Sequence, residues 1–354
     1  MKENCPAENI TTAFSKYLCV PLCTLWLKYL FNETKGNPMP VISYREILQA
    51  VTQRQNLSQQ QAYEIFSQLM DGELSEVQTA GLLMAMATKG PQVAEITGAA
   101  LAMREHAVVI DTSGLDVVDI VGTGGTGLKT FNISTASCFV AAGAGLKVAK
   151  HGNVTNTRAS GSANVLTALG VNIEADPSVV SRCIAEAGVG FCYARTCHPA
   201  MKHAAPVRKQ LPVRTIFNVL GPLTNPAGAR RLVMGVFAPE WTEPLAEVLS
   251  RLGAVRAMVV HADDGLDEIS IAAPTRCSEL RNGEVTTRTI QPADFGLARG
   301  RLEDLGVDSP EESAEVIRSI LGGQQGAARD IVLLNAAAGL TVAEVASDMP
   351  DGIE

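Results

Sequence analysis

The sequence predicts an α/β protein in which a small N-terminal all-helical domain precedes a larger α/β domain built on a mostly parallel central sheet. Three observations carry that expectation. Apolar residues recur at helical spacing from Ser43 to His106; beyond Leu115 short apolar strands alternate with helical stretches; and one of those strands runs straight into a four-glycine loop. With 354 residues, 46% of them hydrophobic and 19% charged, the chain is long enough to bury a core in each of two domains. A formal net charge of -8 leaves no global basic field to recruit nucleic acid, so any positive potential must be local to a site.

Residues 1–38 read as an N-terminal extension. Phe14 to Phe31 is densely apolar but is interrupted by Lys16, Pro21 and Lys28, and a second methionine, Met39, precedes the periodic region. A membrane span needs about 20 uninterrupted apolar residues, and the cleavage pattern of a signal peptide is missing, so no membrane partner is expected. A membrane-surface helix is the competing reading of this stretch.

Residues 39–110 form the predicted helical domain, with helices returning to it from the C-terminal part. Asn56 and Ser58 before QQQAYEIF, Ser75 with Gln78, and Pro91 before QVAEITGAALAMRE supply start signals, and Gly72 and Gly90 break the pattern. Its leucine and methionine stripes suit a helix core and the contact surface of a homodimer.

Residues 111–354 form the predicted α/β domain. VVDIV, LKVAK, VGFCYA, RLVMGVF and AMVVHA read as strands, separated by helices at 132–143, at 161–169, from Pro177 and from Thr242. In such folds ligands sit outside the C-terminal ends of the strands, where the glycine loop, KHGN and HADDGLDE all fall.

The stretch VVDIVGTGGTGLKTFNIST, Val117 to Thr135, is the centre of the site this predicts. Gly122, Gly124, Gly125 and Gly127 let backbone N–H groups face a ligand, and the helix that follows adds unpaired N–H groups and a positive dipole end. That chemistry suits phosphate. The loop matches G-x-G-x-x-G, yet the next strand ends in Lys150 and His151, not in the acid that would hold a dinucleotide ribose. It also fails as a P-loop, because Leu128 separates Gly127 from Lys129 and Thr130.

Two further features point to substrate chemistry. Arg195 to Ala229 is rich in proline, apolar anchors and basic residues, which predicts an ordered active-site wall. Within it Arg208 is the candidate for a substrate carboxylate, because a planar guanidinium meets that group with two parallel hydrogen bonds. Asp267 and Glu268 follow a predicted strand, behind Asp263 and Asp264, and suit magnesium that keeps most of its waters and bridges to phosphate. A solvated acidic turn is the alternative for DDGLDE taken alone. The eight cysteines form no CxxC pair or zinc spacing and read as reduced thiols of a cytoplasmic protein.

GTGGTGLKTFNIST, KHGN, HPAMK, PVRK, RTIFNVLGPLTNPA and GLDEIS occur here in one order, and together they make the chain from about Ser43 onward resemble the anthranilate phosphoribosyltransferase family. The resemblance implies a nucleoside phosphorylase-like fold, a homodimer formed through the helical domain, and magnesium as cofactor. It implies that the phosphoribosyl group of 5-phosphoribosyl 1-pyrophosphate passes to the amine of anthranilate. By the same resemblance Gly122, Gly125, Thr126, Thr130, Asn132, Ile133, Ser134, Thr135, Lys150, His151, Gly152, Asn153, Thr157, Arg158 and Ser162 surround the phosphoribosyl pyrophosphate. Gly122, Asn153 and Arg208 line the anthranilate pocket, and Ser134, Asp267 and Glu268 hold metal.

The chain departs from the family pattern at Thr126, where aspartate is usual, and at Val154, Thr157 and Arg158, where the family has an arginine after HGN and then a serine pair. Asn164 also stands where aspartate is common. Two alternatives stay open on the sequence: a related phosphoribosyltransferase or nucleoside phosphorylase with another acceptor, and a non-catalytic binding homologue.

Overall fold

A computed structural model describes residues 43–154 and 160–354. The N-terminal extension, Thr157 and Arg158 lie outside the described residues.

Four helices open the described chain: α1 (Tyr44–Thr52), α2 (Gln59–Asp71), α3 (Glu76–Lys89) and α4 (Val93–Glu105). Serine starts the first three, and each start is a capping box: Ser43 with Glu46, Ser58 with Gln61, Ser75 with Gln78. Gly72 ends α2 at φ 79°, a left-handed cap that glycine adopts without strain. Glu95, wholly buried, closes the bundle from inside. It accepts from the Leu57 and Gln92 backbone N–H groups and from Lys89 Nζ at 2.8 Å each, so its charge is neutralised and its lone pairs are used.

The rest of the chain builds a seven-stranded sheet in the order β3-β2-β1-β4-β5-β6-β7. Its strands are β1 (Val118–Gly122), β2 (Val148–Gly152), β3 (Val189–Tyr193), β4 (Arg231–Gly235), β5 (Arg256–Ala262), β6 (Thr275–Arg281) and β7 (Glu284–Ile290). The first five are parallel, and β6 and β7 extend the sheet as an antiparallel hairpin. That hairpin is absent from the strands expected of the sequence, because β7 keeps a mostly exposed, polar face and shows no apolar run. The signal that marks it is the Asn282-Gly283 turn, with φ 53° and 81°, as a two-residue hairpin requires.

Crossing segments cover both faces. One core packs β1, β2, β4 and β5 side chains against α5 (Ile133–Gly143) and two later helices, Pro310–Leu321 and Ala327–Val342. The opposite core joins the helical bundle to Ala204, Val207, Ile216, Phe217 and Leu220 of the wall segment and to the helix Thr242–Arg251. The chain leaves β1 toward β2 and β3, then returns to place β4 on the other side of β1. The crevice between the ends of β1 and β4 is therefore the topological switch point, where doubly wound sheets bind ligands.

Helices α2 and α4 approach closely at Gly98, where a Cβ would overlap the Gln59 carbonyl oxygen and lie 2.7 Å from Tyr63 N. Gly98→Ala is expected to destabilise the protein by about 2 kcal/mol or more, the usual cost of overpacking a tight core. A thermal midpoint equal to wild type would show that the two helices have room to spare.

Candidate active site

The glycine loop leaves β1 at the switch point, and the acidic loop after β5 crosses over to meet it. Gly122 and Gly235 end β1 and β4 in register with each other. Both are glycine for lack of room. A Cβ on Gly122 would lie 2.5 Å from Asp267 Oδ2, and one on Gly235 would overlap the Asp267 carbonyl oxygen. Seated there, Asp267 accepts a 2.8 Å hydrogen bond at Oδ2 from the Gly124 N–H. Asp267 and Glu268 are both buried, so the pair is built into the crevice and is not a solvated turn.

Beyond Gly124 the loop runs through Gly125 and Gly127, both at positive φ, and Leu128 N–H closes on Thr126 Oγ1 at 3.4 Å. Arg214 from the wall segment donates through Nη2 to the Gly125 carbonyl at 2.7 Å. Lys129 pairs with Asp308 on the surface, and Thr130 forms a bridge to Gly306. These contacts pass the chain into α5, whose first turn carries Ile133, Ser134 and Thr135.

The residues of that turn divide by direction. Ile133 is fully buried in the core, so only its backbone is available to a ligand. Ser134 Oγ accepts from Lys150 Nζ at 3.4 Å. Asn132 is held at both ends: its Nδ2 donates to the Ser160 carbonyl, and its Oδ1 accepts from the Ser313 hydroxyl. Asn132 thereby ties the loop to α6 (Ser162–Ala168), whose first residue is Ser162. Gly152, at the end of β2, faces the Ser162 Cβ and the Phe191 ring at distances no side chain could share.

Lys150 is 2% exposed and donates to the Ile120 carbonyl at 2.9 Å, which aims a buried ammonium along the sheet toward Ser134. In an acidic protein this is the local positive potential that an anion site requires. Behind it lies Asp119, which accepts from the His151 N–H and from Asn225 Nδ2. Burial raises the Asp119 carboxyl to about 6, although Lys150 pulls the other way.

The wall segment borders the crevice as a series of short helices, including Ala205–Gln210 and Phe217–Leu220. His151 Nδ1 bonds the Gly221 carbonyl at 3.0 Å, and its ring lies 5.1 Å from that of His198. His151 thus faces the wall, while its neighbour Lys150 faces Ser134. Arg208 is exposed with its guanidinium 5.0 Å from the Phe217 ring centroid, and Asn153 Oδ1 accepts from the next backbone N–H, that of Val154. Cys192 and Cys197 are buried, and burial raises both thiols, which removes them as nucleophiles at neutral pH.

The sequence reading missed Gly235 and the Asp119–Asn225 pair. A glycine ending a strand beside another strand-end glycine was the available signal for the first. Among the described residues no cluster of three His, Cys, Asp or Glu side chains could enclose a metal. Two adjacent buried carboxylates suit a cation that completes its shell with waters and substrate phosphate.

Fold and site define a glycosyl transferase. A family model described as the helical bundle domain of the glycosyl transferase family matches residues 45–107, and one described as its a/b domain matches residues 91–354. Over 310 residues the chain is 53% identical to the anthranilate phosphoribosyltransferase of Thioalkalivibrio sulfidiphilus and covers 92% of it, and it is 50% identical to that of Symbiobacterium thermophilum, covering 91%; each alignment takes in 88% of this chain. The Thermus thermophilus enzyme of that name superposes with a TM-score of 0.82 at 44% identity, over 87% of this chain and 92% of its own. The Saccharomyces cerevisiae enzyme, solved in complex with PRPP and Mg, does so with a TM-score of 0.76 at 26% identity, over 86% and 91%. The chain belongs to the anthranilate phosphoribosyltransferase family.

Two outcomes test this geometry. Gly235→Ala is expected to lift Asp267 off the strand ends, destabilise the fold by about 2 kcal/mol and remove the hydrogen-exchange protection of the Gly124 amide. Retained protection would mean the close approach does not seat Asp267. The second outcome is a pH dependence. Burial lowers His151 to about 3 and His198 to about 4, from 6.5 when exposed. Between those limits the unfolded chain binds protons that the native chain refuses, so stability falls as pH drops. Asp119 opposes this between about 6 and 3.8, where the native state holds the extra proton, but it is one group against two. Thermal midpoints are expected to fall from about pH 7 to about pH 4, and His198→Gln to flatten the decline; an unchanged slope in that variant would show that the ring titrates as if exposed.

Proposed function

We propose that this chain is an anthranilate phosphoribosyltransferase: it transfers the phosphoribosyl group of 5-phosphoribosyl 1-pyrophosphate to the amine of anthranilate, giving N-(5-phosphoribosyl)anthranilate and pyrophosphate in tryptophan biosynthesis. The observation that carries this reading is the seat of Asp267 between Gly122 and Gly235, where a metal-type carboxylate meets the Gly124 amide of a phosphate-type loop.

The reaction breaks the bond from ribose C1 to a diphosphate oxygen and forms one from C1 to the amine nitrogen, whose proton passes to the medium. No enzymic nucleophile is needed. Positioning and charge stabilisation lower the barrier. The backbone N–H groups of the glycine loop and of the first turn of α5 receive the diphosphate, and Lys150 places a desolvated positive charge beside Ser134. Asp267, Glu268 and Ser134 would hold magnesium, which would supply positive charge to the leaving diphosphate. On the wall, Arg208 receives the anthranilate carboxylate and Asn153 borders the same pocket, so that the amine points at C1. Thr126 makes the loop less negative than the aspartate usual in the family.

On that side the Phe217 ring beside Arg208 suits an aromatic acceptor that carries a carboxylate. The family resemblance further implies a homodimer formed through the helical domain. No described helix is long and apolar enough to cross a membrane. On this reading the enzyme works in the cytoplasm.

The test is the loss of anthranilate fluorescence when the purified protein is mixed with magnesium and phosphoribosyl pyrophosphate. Turnover of other amines or nucleobases but not of anthranilate would overturn the assignment. Arg208→Ala is expected to raise the anthranilate KM about tenfold or more, in line with loss of a charge-assisted pair, with a far smaller change for the donor. Equal losses for both substrates would remove Arg208 from the carboxylate site.

A further inference from the structure

Four glycines in six residues make the loop from Gly122 to Gly127 expensive to order, since fixing a backbone residue costs about 1–2 kcal/mol and glycine loses the most freedom. A loop ordered only by the donor would subtract that cost from donor affinity. Three contacts from outside the loop hold it in advance. Thr123 N–H donates to the Gly235 carbonyl, and Gly124 N–H donates to Asp267. These two fix its root. The third reaches furthest into the loop: Arg214 Nη2 donates to the Gly125 carbonyl at 2.7 Å.

Arg214 is well placed to act as a fixed strut. Its guanidinium carbon stands 4.1 Å from the centre of the Phe237 ring, so the cation sits over an aromatic face two residues beyond Gly235. The peptide joining Gly125 to Thr126 is planar and trans, so its C=O and N–H point in opposite directions. Pinning the Gly125 carbonyl to Arg214 therefore turns the Thr126 N–H away from the guanidinium and stops the peptide from flipping. That matters most here, because Gly125, with no Cβ, would otherwise rotate freely.

We propose that Arg214 is a positioning residue that sets the glycine loop in its diphosphate-receiving conformation before the donor arrives, with Phe237 as its platform. The inference rests on the reading of this loop as the donor's diphosphate cradle. Arg214 thereby links the wall that receives the acceptor to the loop that receives the donor.

Calorimetry with inorganic pyrophosphate and magnesium, alongside steady-state KM values for both substrates, tests it. Arg214→Ala is expected to weaken pyrophosphate about tenfold, or about 1.4 kcal/mol, and to raise the donor KM by a similar factor, while the anthranilate KM moves by less than about twofold. Arg214→Lys is expected to recover part of the loss, because an ammonium can still donate to the Gly125 carbonyl. Phe237→Leu leaves every charge in place and is expected to weaken pyrophosphate about threefold through loss of the aromatic platform. Pyrophosphate binding in Arg214→Ala equal to wild type would overturn the proposal. So would a salt-sensitive loss in Arg214→Ala with no effect in Phe237→Leu, which would mean that the guanidinium touches the ligand itself. Equal rises in both KM values with a lowered thermal midpoint would mark a general structural role and overturn it too. Wild-type protein that takes up no pyrophosphate would overturn the donor-site reading and this inference together.

Discussion

The close seating of Asp267 against the ends of β1 and β4 is the contact on which the rest of the site depends. The two strands lie over a hundred residues apart in sequence, yet they finish side by side in glycine, and the missing side chains leave a slot for one backbone and one carboxylate. Because β5 is the next strand along, the loop that follows it needs only to fold back over β4 to fill that slot. The acidic pair reaches the phosphate loop through sheet topology alone.

Around that slot, charge is distributed with economy. The chain is acidic as a whole, so anion binding relies on a few donors: strand-end and helix-start amides, and the ammonium of Lys150, which is buried. Asp119 anchors the far side of the same strands by gathering the His151 amide and the Asn225 side chain, and Asn225 also donates to the Ala149 carbonyl. Through Asn225 the wall segment is stitched to the sheet, so the acceptor side of the crevice is located by hydrogen bonds to β1 and β2 and not by loop packing alone.

Much of the architecture was legible in the sequence because it is written at short range. Ser58 marked the start of α2 and Ser75 with Gln78 that of α3, and apolar runs of five to seven residues marked β1 to β5. Glycine spacing announced the loop. What stayed hidden depends on pairs distant in sequence. Gly235 means nothing until it is registered against Gly122, and Asp119 looked like one polar residue in an apolar strand until Asn225 arrived from the wall. The same holds for Arg214, read only as part of a basic, apolar stretch before its contact with Gly125 was seen. The hairpin β6–β7 escaped for another reason: an edge strand with one solvated face carries no hydrophobic run, and its turn residues were the surer guide.

That hairpin has a practical consequence. Since β6 runs against β5, with Arg281 opposite Arg256, the Asn282-Gly283 turn lies at the end of the sheet remote from the glycine loop. Its two residues already adopt backbone angles that tolerate abrupt reversal, and the neighbouring side chains point largely into solvent. A fluorophore or affinity tag grafted there would report on the molecule while staying a full strand's length away from the chemistry.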